Sequence, residues 1–114
     1  MFSWAATVKL AGEIDRDRLD RLRELLHLKP EGRLGDAYDD VLGTGTREVP
    51  GGRVQIVLYR HDLDGPWEFH INAEDQPAAD SLASLVDEVG AAAVRAGLAV
   101  TGVQWRDPAR GGPQ

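Results

Sequence analysis

Cysteine is missing from this 114-residue chain, and with it go disulfide bridges, thiolate metal sites and cysteine nucleophiles; a reducing compartment suits such a chain. Long apolar runs are missing too. No window approaches the ~20 residues of a membrane-spanning helix, and the opening Met1-Phe2-Ser3-Trp4 has no basic stretch leading into an apolar one. The expectation is a soluble, cytoplasmic protein. Positive charge is scarce: 13 Lys and Arg against 19 Asp and Glu leave a formal net charge of −6. Long-range attraction to phosphate backbones or anionic lipid is therefore absent, and neither nucleic acid nor membrane is expected as a partner. The same charge suits a basic protein partner, besides serving solubility. Also lacking are a Gly-rich nucleotide loop, a Gly-x-Ser-x-Gly elbow, a Walker sequence, a His-Glu-x-x-His helix and an aspartate-rich calcium loop. No cofactor and no catalytic residue is assigned.

What the chain does have is a patterned centre. From Arg53 to Ala73 two runs alternate, Val54, Ile56 and Leu58 answering Trp67, Phe69, Ile71 and Ala73 on one side of a β-hairpin. The other side carries Gln55, Val57, Tyr59, His61, Glu68, His70 and Asn72. Asp62-Leu63-Asp64-Gly65-Pro66 forms the turn, and because Pro66 has no N–H to give, a turn of four or more residues is expected rather than a two-residue one.

Around this hairpin the order is strand, helix, hairpin, helix, strand. Phe2 to Ala11 alternates as a strand with Trp4, Ala6, Val8 and Leu10 on the covered side. Asp15 caps a helix with Leu19, Leu22, Leu25 and Leu26 on its apolar face, ended by Pro30 and Gly32. His27, at its end, suits the helix dipole. Gln76 and Pro77 open a second helix, with Asp75 or Gln76 as cap and Leu82, Leu85, Val86, Val89, Ala92, Ala93 and Ala96 as its stripe, closed by Gly97. Leu98 to Arg106 is the last strand, where a bulge at Gly102 lets Val100, Val103 and Trp105 share the covered side. The expected fold is α+β: a ferredoxin-like β-α-β-β-α-β sandwich, with a four-stranded antiparallel sheet and both helices on one face. It fills residues 1–107 as one domain, with a long irregular loop at about 30–52 and a flexible tail at 108–114. Within the loop, Asp36 to Leu42 has room for a turn or two of helix.

A four-stranded sheet of this kind leaves one face uncovered. Gln55, Val57, Tyr59, His61, Glu68, His70 and Asn72 on that face, with Asp36, Asp39 and Asp40 in the loop, are the candidate partner-binding residues. The partner is a second copy, giving a homodimer, or a basic protein, as for an inhibitor or immunity-like domain. His61, Glu68 and His70 are also the weak candidates for a transition-metal site, since neutral His and Glu ligate zinc and related ions. Arg60 falls on the apolar side by strict alternation, where it either snorkels to water or pairs with an acid.

Two resemblances bear on catalysis. Gly52-Arg53-Val54-Gln55 with Tyr59-Arg60 resembles the signature of acylphosphatases, but there the motif follows the first strand on a phosphate-binding loop. Here it runs straight into a strand and offers no cradle of free N–H groups, so the transfer is rejected. The topology also resembles the cofactor-independent monooxygenases of antibiotic pathways, which implies a pocket between sheet and helices. Trp4, Trp67, Phe69 and Trp105 would line it, with Arg60 and His61 at its mouth. This small dimeric enzyme is the alternative to a non-catalytic interaction module.

Overall fold

A computed structural model describes residues 2–63 and 65–106, so the expected tail at 108–114 lies outside the described residues. The elements are β1 (Ser3–Ala11), α1 (Arg16–Leu25), β2 (Lys29–Pro30), β3 (Val41–Val49), β4 (Gly52–Arg60), β5 (Trp67–Asp75), α2 (Ala79–Arg95) and β6 (Ala99–Trp105). They form one antiparallel sheet of six strands in the order β2-β3-β4-β5-β1-β6. The class is α+β as expected, but the four-stranded ferredoxin-like layout is too small: β4 is not an edge, because β3 and then β2 lie outside it.

The two additional strands come from the segment read as irregular. β3 pairs with β4 from Val41↔Tyr59 to Val49↔Gly52, and residues 36–42 form no helix. Its period is hidden because two of its inward positions are Gly43 and Gly45. A Cβ on either would come within 3.1 to 3.3 Å of the Leu28 side chain, so their lack of a side chain is what admits Leu28 to the core.

One buried cluster joins Leu19, Leu22, Leu26 and Leu28 to Leu85, Val86, Val89, Ala92, Ala93 and Ala96, and both to Val8, Val54, Ile56, Leu58, Trp67, Phe69 and Ile71. Both helices therefore cover the same face of the sheet. Asp15 caps α1 as expected, its Oδ1 accepting from the N–H of Arg18 at 2.9 Å. The helix ends earlier than Pro30, however, because His27 takes a left-handed φ of 53°. α2 also begins later than Gln76-Pro77, at Ala79, with Ala78 at the cap and no side-chain capping bond. The cause is the β3–β4 turn: Gln76 N–H donates to Gly51 O and Ala78 N–H to Pro50 O, which holds the segment extended. Gly97 ends α2 at φ 91°, as expected, with Leu98 N–H reaching back to Ala93 O.

Two parity changes redirect side chains. In β1 the register against β5 slips between Trp4 and Ala6, so Trp4, opposite Asn72, faces away from the helices and not into the core as the alternation implied. In β6 a slip lets Val100 and Val103 stand opposite Leu10 and Val8, and Trp105 opposite Ala6. They share the covered side as expected, yet remain 36 to 42% exposed because β6 is the sheet's edge.

Arg60 neither snorkels nor meets an acid. It is 1% exposed and donates to four main-chain carbonyls of the 31–40 segment: Nε to Asp39 O at 3.0 Å, Nη1 to Leu34 O at 2.6 Å, and Nη2 to Arg33 O at 3.1 Å and to Asp36 O. A guanidinium has five N–H donors in a fixed fork, and here the fork replaces the sheet partners that this segment lacks.

Candidate functional site

The face without helices is built in three rows of cross-strand neighbours. Lys9, Glu68, Tyr59 and Val41 stand side by side across β1, β5, β4 and β3; Thr7, His70, Val57 and Thr44 form the next row; Trp4, Asn72, Gln55 and Thr46 the third. Because the hairpin register is even, Tyr59, Glu68 and His70 share this face, and His61 continues it into the turn.

At the turn end of this face, Glu68 Oε1 lies 2.6 Å from His70 Nε2 and 3.1 Å from His61 Nε2. The Tyr59 ring stacks on His70 with centroids 4.7 Å apart and meets His61 edge-on at 5.1 Å. Burial of Glu68, whose side chain is 14% exposed, opposes its ionisation. Hydrogen bonds from His70 and His61, with their charge, more than offset this and hold the carboxyl below its ordinary 4.5. An ionised Glu68 accepts from the Nε2–H of both imidazoles, which orients the two rings toward one oxygen. Farther from the turn, Asn72 Nδ2 donates to Gln55 Oε1 at 3.2 Å, and Trp4 Nε1 donates to Thr7 Oγ1 at 2.9 Å.

The loop carboxylates have a different role. Asp39 Oδ2 accepts from Arg33 N–H at 2.7 Å and Asp36 Oδ1 from Tyr38 N–H at 2.9 Å, so both tie the segment together. Asp40 O accepts from Arg60 N–H, which sets this loop at the Tyr59 end of the sheet. Tyr38, 94% exposed, stands at the same end. Trp4, Thr7, Lys9 and Tyr38 are not among the candidate partner-binding residues of the sequence; the alternation of β1 already signals Thr7 and Lys9, whereas nothing signals the slip that turns Trp4 from the expected pocket lining to the outer face.

Among the described residues no three His, Asp or Glu are arranged to hold a metal ion. Both imidazoles are directed at one carboxylate oxygen, whereas ligation needs all three donors directed at a shared centre. The aromatic pocket also lacks its lining: Trp67 and Phe69 are core, Trp4 faces the other way and Trp105 lies on the edge strand. Two hollows stand out, both away from the His–Glu cluster: a groove of about 380 Å³ between β3 and α2, and a smaller one beside α1. No described helix is long and apolar enough to cross a membrane.

No family model matches this chain, and comparison with curated proteins and with solved structures gives no significant match.

Proposed function

We propose that this chain is a non-catalytic protein-interaction domain that meets its partner through the helix-free face of the sheet, and that this partner is a second copy. The observation that carries the reading is the face itself: Tyr59, His61 and His70 group their rings at its hairpin-turn end, and Val57, Thr7, Thr44, Gln55, Asn72 and the Trp4 ring continue it across four strands. Protein interfaces are enriched in such aromatic anchors, interspersed with polar groups that hydrogen-bond across the contact. Charge supports a second copy over a basic protein. Despite the net −6, Lys9, Arg53 and Arg106, the last over the Trp4 ring, balance Glu48, Glu68 and Glu74 on this face, with Arg53 3.9 Å from Glu74. The face is thus close to neutral and does not repel itself. The ferredoxin-like quartet β4-β5-β1-β6 remains within the larger sheet as part of this reading. The monooxygenase alternative has no comparable support.

Sedimentation velocity tests it. The wild type sediments as a dimer at micromolar concentration, and Val57→Lys, in the middle row, sediments as a monomer with unchanged circular dichroism. A wild type that stays monomeric up to millimolar concentration overturns the proposal, as does a dimer that Val57→Lys leaves intact.

A further inference from the structure

The smaller hollow, about 240 Å³, is lined by Arg16, Leu19, Asp20 and Arg23 of α1 and by Gly32, Arg33, Leu34 and Gly35 of the following segment. Its lining holds three arginines against one aspartate, a formal +2 on a chain whose total is −6, with the Asp39 carboxylate beside it on the Arg33 N–H at 2.7 Å. Like charges gather this way at a cost unless something divides them.

The central cation is fixed in place. Arg23 Nε donates to Leu42 O at 2.8 Å and Nη2 to Glu31 O at 2.9 Å, while Nη1 has only Asp20 at 3.8 Å. Its side chain is 15% exposed. Burial works against its charge, Asp20 supports it and Arg16 works against it, and the balance lowers its proton affinity from the ordinary guanidinium value. The side chains of Arg16 and Arg33 form no ion pair or hydrogen bond among the described residues. The opposite wall is equally fixed, because the carbonyls of Arg33, Leu34 and Asp36 are held by the buried Arg60. The hollow therefore combines a rigid floor, one oriented cationic fork and two flanking cations with no protein partner.

We propose that this hollow binds a phosphate monoester dianion. Such a group carries about −2 and three acceptor oxygens, which matches the +2 of the lining and the fork geometry that guanidinium presents to phosphate. The volume has room for the phosphate and the first atoms of its ester group, for which Leu19 and Leu34 supply apolar walls. The site is on the helix side of the sheet and independent of the proposed dimer face.

Nitrogen-15 NMR titration of the full chain with inorganic phosphate and, separately, with O-phosphoserine tests the site; potassium acetate is the control. Saturable shifts are expected at amides of residues 16–23 and 32–36, with either phosphate compound and not with acetate. Tighter binding of O-phosphoserine identifies an esterified phosphate as the better ligand, and equal binding identifies the free anion. The double substitution Arg16→Gln, Arg33→Gln removes two cations that support no other described group, and weakens binding by about 10-fold or more with an unchanged thermal melt. No saturable shift, saturation equally by acetate, or binding that the double variant leaves unaltered overturns the proposal.

Discussion

Arg60 and Trp67 are cross-strand partners at the turn end of the β4–β5 hairpin, and the guanidinium carbon lies 5.6 Å from the centre of the indole ring. One side of the cation thus rests on an aromatic face while its N–H groups collect the carbonyls of the 31–40 segment. Cation–π attraction and charge-assisted hydrogen bonds both gain when water is excluded.

Removal of this cation is therefore costly. Arg60→Met leaves four carbonyls to find water, and a loss of roughly 3 kcal/mol or more is expected, since each orphaned buried acceptor costs ~1–3 kcal/mol before the loop relaxes. Urea denaturation measures it. Arg60→Lys recovers less than half, because an ammonium cannot reproduce the planar fork, and in both variants hydrogen exchange of residues 33–40 accelerates.

Glu68 gives the stability a defined pH dependence. Its folded carboxyl is held below the ordinary 4.5 by His70 and His61 against the effect of burial, so the folded state binds protons more weakly there than the unfolded state. The sign follows from linkage: its contribution is fully present above pH 4.5 and is lost as pH falls from there through the folded value. Glu68→Gln is expected to lower stability by about 1 kcal/mol at neutral pH, a modest figure because the group is partly solvated. The difference from the wild type closes as the solution is acidified, and denaturant titrations at several pH values follow it.

The Leu28 niche predicts a coupling. Gly45→Ala places a methyl 3.1 Å from Leu28 Cδ2, and overpacking of this kind costs about 1–3 kcal/mol. In a Leu28→Val background, where that methyl carbon is gone, the same substitution costs less. A double-mutant cycle by chemical denaturation reads the difference; additive costs would show that the two residues do not share the space.

The β6 edge carries no charge and no proline from Ala99 to Trp105, while the opposite edge, β2, is two residues long and consists of Lys29 and Pro30. Short, charged or proline-bearing edges resist unwanted pairing, and long apolar ones invite it. Val103→Lys is expected to raise the concentration at which light scattering detects aggregates. Its effect on unfolding free energy stays within roughly 0.5–1 kcal/mol, since Val103 is already exposed.

The sequence displays the β4–β5 hairpin openly, since its alternation runs unbroken from Val54 to Leu58 and from Trp67 to Ile71, and the grouping of Tyr59, His61, Glu68 and His70 follows from that parity. β3 is hidden for the opposite reason: Gly43 and Gly45 erase the apolar period at two of its inward positions. Alternation points Trp4 to the covered face, and the one-residue slip beside Ala5 that turns it outward has no compositional mark. Arg60 stands out in sequence as a charge among apolar neighbours, but its partners are main-chain oxygens, which every residue possesses and no spelling of the chain reveals. Arg16, Arg23 and Arg33 are likewise too far apart in sequence to suggest a common hollow.

The bonds from Gln76 to Gly51 and from Ala78 to Pro50 make the outer hairpin something other than an appendage. A shortened chain that dispensed with residues 30–50 would uncover a flank of β4 and also release the entry to α2, which no side chain secures. Trimming such a protein back to its smallest recognisable frame would therefore undo a helix that lies more than two dozen residues downstream of the cut.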